Sequence, residues 1–165
     1  MTGGHRRILV VEDDPETAGQ LVDQLTTSGY QVDLATNGNE ALSRGSAHVT
    51  FVESDRRAQA LIGENLRACG IESGYTMVRS TVERAWSTLP SDPAFAPFDL
   101  ILLDPPYDHP AGETLAGADL LLAPEGWVVV EHARRTVLPS HAGRLDLARD
   151  LRSGDSALAI YTCPH

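Results

Sequence analysis

The sequence predicts an α/β protein with a single doubly wound, mostly parallel sheet of about eight strands and an antiparallel hairpin at its C-terminal end. Three observations lead to this fold class. The first 35 residues read as strand, helix, strand; apolar runs then alternate with segments of helical periodicity; and a Ser-Gly-Asp turn separates the last two runs. Strands joined through helices pair in parallel, whereas a tight turn joins antiparallel neighbours.

The first predicted unit runs from the strand at 8–11 to the strand at 31–35. Between them, Asp14 suits the N-cap of a helix and Pro15 its first position. The cap accepts orphan amide hydrogen bonds, and proline has no amide hydrogen to lose there. Gly29 ends the helical pattern. These lengths predict two parallel strands joined by a crossover helix.

The rest of the chain continues this alternation. We expect further strands at 48–53, 76–79, 98–103 and 127–131, followed by a hairpin of 144–150 and 157–161. Helices are expected at 39–44, after an N-cap at Asp55, from Val82 to Leu89, and from Leu115 to Leu122. The apolar run at 98–103 has strand length, so we expect that strand to be buried on both faces.

Composition limits the function classes. The formal charge of −10 argues against strong nucleic-acid binding by the chain, and all thirteen cationic side chains are arginine. Two cysteines indicate reduced thiols rather than a disulfide framework, so we expect a cytoplasmic protein. The chain shows no apolar signal run and no span of membrane length. We expect a monomer or a weak homodimer without a membrane partner.

Several conspicuous side chains have ordinary structural interpretations. Trp86 and Trp127 fall on apolar periods and are expected in the core. The Arg56-Arg57 and Arg134-Arg135 pairs are expected to be solvated charges, given the acidic balance. The six histidines lack metal-ligand spacing and are expected at the surface or at strand ends.

The strongest motif follows the strand at 98–103. Asp104-Pro105-Pro106-Tyr107 must end that strand, because tandem prolines remove two backbone donors and fix two φ angles. The stiff chain then presents side chains instead of packing them. Ligands of open α/β sheets bind at the carboxyl ends of strands, which is where Asp104 and Tyr107 are expected.

Residues from about 40 to 165 resemble the bacterial methyltransferases that modify a guanine N2 of 16S ribosomal RNA with S-adenosylmethionine. The resemblance rests on Asp104-Pro105-Pro106-Tyr107 and on shorter matches at Glu40-Ala41-Leu42, Phe51-Val52-Glu53, Glu64-Asn65-Leu66 and Gly154-Asp155-Ser156. It implies a Rossmann-like core in which Asp104 and a prolyl carbonyl accept hydrogen bonds from the target amine. It also implies that Tyr107 stacks on the base and that Glu53 holds the cofactor ribose.

One departure concerns the cofactor site that this resemblance implies. The family has a glycine-rich turn before its Glu-Ala-Leu helix, where backbone must approach the cofactor closely. Here the segment from Asp33 to Glu40 is shorter, and Gly38 is its one glycine. We also expect the family's leading basic RNA-binding segment to be missing. We therefore expect an impaired site at Glu53, Asp33 and Gly38, with no tight cofactor binding.

Residues 7–42 resemble the start of a response-regulator receiver, a flavodoxin-like domain, through Arg7 to Asp14, Gly29 to Gly38 and Glu40 to Leu42. The resemblance implies that Glu12 and Asp13 hold Mg²⁺ beside a phosphoacceptor aspartate. Asp104 is the candidate partner, which gives a latent Mg²⁺ or proton-binding pocket; the alternative is three solvated carboxylates. The chain has no lysine to contact a phosphoryl group.

Three functions follow from the two resemblances. The leading hypothesis is an engineered chimera without native activity, in which a receiver-derived segment of residues 1–40 precedes a methyltransferase-derived segment of residues 41–165 within one domain. The first alternative is an S-adenosylmethionine-dependent guanine-N2 methyltransferase acting on 16S rRNA. The second alternative is a signalling receiver that is phosphorylated on Asp104.

Overall fold

The computed structural model describes residues 7–11, 31–35, 48–105 and 111–164. The chain divides into two compact units, residues 1–79 and residues 80–165. The helices expected after Asp14 and at 39–44, and the chimera junction expected near residue 40, lie outside the described residues. Each unit contains parallel strand pairing, as the order of elements predicts.

The first unit holds two parallel strand pairs. Strand β1 (Arg7–Val11) pairs with β2 (Gln31–Ala35) from Arg7 opposite Gln31 to Val11 opposite Ala35. Strand β3 (Val49–Val52) pairs in parallel with β4 (Tyr75–Val78), and helix α1 (Arg56–Ala68) connects them. The predicted parallel βαβ arrangement is confirmed for both pairs at the level of the strands.

Helix α1 begins where the sequence predicts it. The Asp55 carboxylate accepts hydrogen bonds from the amides of Arg57 and Ala58 at 2.8 and 2.9 Å, so it satisfies two donors that the first helical turn leaves open. The helix ends before Gly70, whose φ of +71° is a left-handed conformation that glycine adopts without a Cβ clash. Asp55 thus fixes the loop between β3 and α1, and Gly70 begins the loop between α1 and β4.

The second unit contains a five-stranded sheet with helical segments around it. Helix α2 (Val82–Thr88) and a 3₁₀ turn (Leu89–Ser91) precede strand β5 (Phe98–Leu103); helix α3 (Ala111–Leu115) and a second 3₁₀ turn (Ala118–Leu120) follow it. The remaining strands are β6 (Leu122–Ala133), β7 (His141–Ala142), β8 (Leu145–Ser153) and β9 (Ser156–Thr162). Their order is β5-β6-β9-β8-β7.

The prediction of one mostly parallel sheet is wrong for the described strands. They form two parallel pairs and one five-stranded sheet, and within that sheet β5 and β6 alone are parallel. The reason is that β9 pairs with β6 directly, and the tight connections on either side of β8 make its neighbours antiparallel. The predicted C-terminal hairpin is confirmed, with Ser153 opposite Ser156.

The helix predicted from Leu115 to Leu122 is also corrected. Gly117 has a φ of +100°, which breaks the helical path, and Leu122 is already the first residue of β6. Both Leu115 and Leu122 still belong to the core, because each side chain is buried there. The spacing of apolar residues therefore predicted correctly that Leu115 and Leu122 are buried. It did not predict that the segment contains both the end of a helix and the start of a strand.

The core of the second unit fills one side of β5, β6 and β9. It includes Ile101, Val128, Val130, Ala159 and Tyr161, with the last four at 5% exposure or less. Trp86 is 7% exposed and donates its indole N–H to the Thr114 carbonyl at 3.0 Å, and Trp127 is 8% exposed. The predicted core positions of both tryptophans are confirmed. Among the described residues, no helix is long and apolar enough to cross a membrane.

Candidate active site

Asp104 lies at the carboxyl end of β5, as the sequence predicts. Leu103 is the last residue of the strand and pairs with Val130 of β6, and Pro105 then removes the next backbone donor. The Asp104 side chain is exposed and Pro105 is half-buried. Pro106 and Tyr107 lie outside the described residues. The edge of the sheet thus presents a carboxylate to solvent on a stiff chain.

The predicted burial of β5 on both faces is wrong. Ile101 and Leu103 are 8% and 7% exposed, whereas Leu102 between them is 47% exposed. This alternation is the pattern of a strand with one face in the core, as expected for a strand at the end of a mixed sheet.

The same edge of the sheet carries the turn of the C-terminal hairpin. Strand β6 runs parallel to β5, so its end at Ala133 lies at the edge where Asp104 follows β5. Because β9 is antiparallel to β6, β9 begins and β8 ends at that edge too. The Arg134 amide donates to the Asp155 carbonyl at 2.9 Å, which ties the residue after β6 to the hairpin turn.

Glu53 follows β3 in the first unit. Its amide donates to the Val78 carbonyl at 3.1 Å, which continues the pairing with β4, and its own carbonyl accepts from Gln59 Nε2 at 2.7 Å. The carboxylate Oε1 accepts the Asp55 amide at 2.7 Å. The residue is half-buried, and no described residue donates to Oε2. A fixed carboxylate with an open acceptor atom suits the hydroxyl donors of a ribose.

The other predicted cofactor and metal residues are only partly described. Asp33 is a β2 residue opposite Leu9, and Gly38, Glu12 and Asp13 lie outside the described residues. In the described part of the chain, no group of three His, Cys, Asp or Glu side chains could hold a metal ion. The Mg²⁺ pocket of Glu12, Asp13 and Asp104 therefore gains no support and stays a prediction.

A buried histidine was missed by the sequence interpretation. His132 was expected at the surface or at a strand end; it does lie near the end of β6, but only 4% of it is exposed. Its Nε2 is 3.3 Å from Asp150 Oδ1 on β8, and its Nδ1 is 3.1 Å from the Ala133 carbonyl. The alternation of Val128, Val130 and His132 is the signal that places this ring on the core face.

Comparison with known proteins supports one of the two resemblances, the methyltransferase resemblance. The sequence matches the family described as conserved hypothetical protein 95 over residues 34–162. The chain belongs to this family. The Bacillus subtilis protein YlbH, which is assigned as an rRNA methyltransferase, is 34% identical to this chain over 127 residues, covering 75% of this chain and 68% of YlbH.

Two solved structures are similar to this chain in both sequence and fold. An Escherichia coli protein assigned as the methyltransferase YhhF is 26% identical with a TM-score of 0.63, covering 96% of this chain and 97% of YhhF. A conserved hypothetical protein from Streptococcus pyogenes is 27% identical with a TM-score of 0.64, covering 96% and 88%. The fold is therefore the α/β, Rossmann-like fold of methyltransferases.

These matches bear on the predicted chimera. The family match begins at Leu34, inside the segment for which a receiver origin was predicted, and the structural matches extend over nearly the whole chain. The methyltransferase resemblance is thus supported on both sides of the expected junction near residue 40. The receiver resemblance and the engineered chimera gain no support from the comparisons.

Proposed function

We propose that this protein is an S-adenosylmethionine-dependent methyltransferase that modifies the exocyclic amino group of a guanine in 16S ribosomal RNA. The observation that carries the proposal is the exposed Asp104 followed by Pro105 at the carboxyl end of β5. Similarity to YlbH, a protein assigned as an rRNA methyltransferase, supports it. The guanine and the 16S molecule are taken from the methyltransferase resemblance of the Asp-Pro-Pro-Tyr motif.

In methyl transfer to a guanine amino group, the main role of the protein is to orient the base. The Asp104 carboxylate and the Pro105 carbonyl are acceptors, and a guanine amino group offers two N–H donors. Holding both N–H groups directs the nitrogen lone pair at the methyl donor, and such orientation lowers the barrier to transfer. Tyr107, the next side chain in the motif that can stack on a base, would keep a flipped guanine in the site.

The methyltransferase resemblance assigns the ribose of the methyl donor to Glu53. S-adenosylmethionine supplies an electrophilic methyl group: the N–C bond forms, the C–S bond breaks and the amine releases one proton. Glu53 would hold the ribose hydroxyls with the carboxylate oxygen that its bond to the Asp55 amide leaves open. The shortened turn around Gly38 still predicts weak binding of this donor, and the cytoplasmic location stays a prediction.

Transfer of a tritiated methyl group to RNA tests the proposal. The wild-type protein is incubated with labelled S-adenosylmethionine and either naked 16S rRNA or assembled small subunits that lack the modification. We expect guanine-N2 methylation, and Asp104→Ala should lower kcat about 100-fold, because orientation effects of this kind are that large. Asp99→Ala is the matched control, since Asp99 is also an exposed aspartate on β5.

Two results would contradict the proposal. Absence of methyl transfer to either RNA substrate by the wild-type protein would remove its basis. Equal activity of the Asp104→Ala and Asp99→Ala variants would show that the carboxylate at the end of β5 has no part in the reaction. Nucleoside analysis of the product distinguishes guanine-N2 methylation from methylation at another position.

A further inference from the structure

The charge of this chain is distributed unevenly along its length. Residues 134–165 contain five arginines and three aspartates, for a formal charge of +2, while residues 1–133 carry −12. An acidic protein that acts on RNA needs a local basic surface, since neutralisation of phosphates supplies most non-specific affinity. The C-terminal part of the second unit is where this sequence offers one.

Two of these arginines lie just past the edge of the sheet that carries Asp104. Arg134 and Arg135 are exposed residues in the turn that follows β6. Asp104 follows Leu103, which is opposite Val130, and β6 continues three residues beyond Val130 to Ala133. At about 3.3 Å per residue, the end of β6 lies roughly 10 Å farther along the strand direction than the end of β5, and Arg134 follows directly.

The hairpin turn holds the Arg134 backbone in place. The Arg134 amide donates to the Asp155 carbonyl at 2.9 Å, and its guanidinium donates to the Gly154 carbonyl at 3.3 Å. Gly154 has a φ of +53°, a left-handed backbone conformation that glycine adopts without strain because it has no Cβ. This conformation places the Gly154 carbonyl where the Arg134 guanidinium can donate to it. One guanidinium bond to a carbonyl leaves the positive charge of Arg134 in place and leaves other N–H donors for a phosphate.

Arg134 and Arg135 are not paired with carboxylates in the described part of the chain. Among the described residues, neither Arg134 nor Arg135 forms an ion pair, whereas Arg152 is bound to Asp150 at 2.9 Å and Arg144 to Asp119 at 3.2 Å. The sequence-based expectation that Arg134-Arg135 is merely solvated did not include their position at the Asp104 edge. We define Arg134 and Arg135 as the arginine pair.

We propose that the arginine pair binds the phosphate backbone of the RNA strand that flanks the target nucleotide. This inference rests on the proposed function, because it takes the Asp104 edge as the place where the target base is held. Phosphate contacts fix the register and orientation of a nucleic acid without reading its sequence. The pair therefore sets how well RNA docks, and it does not touch the reacting amine.

The experiment compares Arg134→Gln/Arg135→Gln with wild-type protein in two measurements. The first is filter binding of a 16S rRNA transcript at several salt concentrations, which needs no methyl donor. The second is the KM and kcat of methyl transfer to the same transcript. Arg67→Gln/Arg84→Gln is the matched control, since it removes two exposed arginines from helices α1 and α2.

The expected result is a selective loss of RNA affinity. In the arginine-pair variant, KM should rise roughly 10-fold while kcat stays within about two-fold of the wild-type value. The slope of log K for RNA binding against log salt concentration should become shallower by about 1.4, because each of the two lost contacts to single-stranded RNA contributes about 0.7. Matching losses in both double variants, or a wild-type salt slope and KM in the arginine-pair variant, would overturn the proposal.

The two measurements separate failure of this inference from failure of the proposed function. If the wild-type protein methylates RNA and the arginine-pair variant docks it equally well, the inference is wrong and the function stands. If the wild-type protein binds RNA through the pair but transfers no methyl group, the surface is supported and the function is wrong. No RNA binding by wild-type protein overturns the inference.

Discussion

His132 Nε2 on β6 lies 3.3 Å from Asp150 Oδ1 on β8, although strand β9 separates the two strands. The contact is possible because β9 presents Ala157 and Ala159 between them: Ala157 is opposite both His132 and Arg152, and Ala159 is opposite Asp150. These two small side chains leave room for the His132–Asp150 contact across the face of β9. This bridge ties the hairpin to the strand beside β5.

The first prediction concerns this buried bridge. Asp150→Ala should lower the free energy of unfolding by about 1–3 kcal/mol, mainly because it leaves His132 Nε2 without its acceptor in a site that is 4% exposed. Loss of the Asp150 ion pair with the exposed Arg152 adds a smaller part. Urea unfolding followed by circular dichroism measures the change. Asp146→Ala is the matched control: Asp146 pairs with His141 at 2.5 Å on the same hairpin, but the His141 side chain is 74% exposed. We expect a loss below about 1 kcal/mol there, and equal losses would contradict the argument.

The second prediction concerns Tyr161 and alkaline pH. Burial, with a smaller contribution from the Asp150 charge, raises the pKa of Tyr161 from 10.0 to about 12. A raised folded-state pKa gives stabilisation that is complete below pH 10 and is lost as pH rises toward 12. We expect unfolding midpoints in urea to fall over this range. The chain has no lysine, so few other groups titrate there.

Tyr161→Phe isolates that effect. The variant keeps the buried ring but loses the hydroxyl, which donates to the Pro139 carbonyl at 2.8 Å. Near pH 8 it should be less stable by about 1 kcal/mol, the net value of one hydrogen bond. Above pH 10 its stability should fall less steeply than that of the wild type. Parallel pH profiles for the two proteins would assign the alkaline loss to other residues.

The third prediction compares two glycines with positive φ. Gly117 has a φ of +100°, and an added Cβ would lie 3.1 Å from the Trp86 Cβ; Gly154 has a φ of +53° and open space around that position. Gly154→Ala should cost about 1 kcal/mol from backbone strain alone. Gly117→Ala should cost more by about 1–3 kcal/mol, because it also overpacks the buried indole. Thermal unfolding of both variants tests the order, and a reversed order would contradict it.

The fourth prediction concerns the cofactor partner. Glu53→Gln should raise the Kd of S-adenosylmethionine about 10-fold, since a neutral amide holds ribose hydroxyls less strongly than a carboxylate. The variant should fold normally, because its side-chain oxygen can still accept the Asp55 amide. Calorimetry measures the affinity, with Glu64→Gln on the exposed face of α1 as the control. Unchanged affinity in Glu53→Gln would exclude Glu53 from the cofactor site.

The sequence by itself determined most local structure and the position of the motif. Asp55 capped its helix as predicted, the strand at 98–103 was confirmed, and this strand ends before Pro105. These features depend on hydrogen bonds and sterics within a few residues, so local patterns suffice. The family resemblance of Asp104 to Tyr107 was likewise available from the residues alone, and family membership then supported the methyltransferase interpretation over the chimera.

Tertiary structure alone decided which strands are neighbours and what lies at their ends. Nothing local shows that β9 inserts between β6 and β8, because strand order depends on long-range pairing. That order makes the five-stranded sheet mostly antiparallel and buries His132 against Asp150. It also brings the turn that contains Arg134 to the edge of the sheet where Asp104 lies. The sequence determined the motif of this protein; only the pairing of distant strands decided which charged side chains share an edge with it.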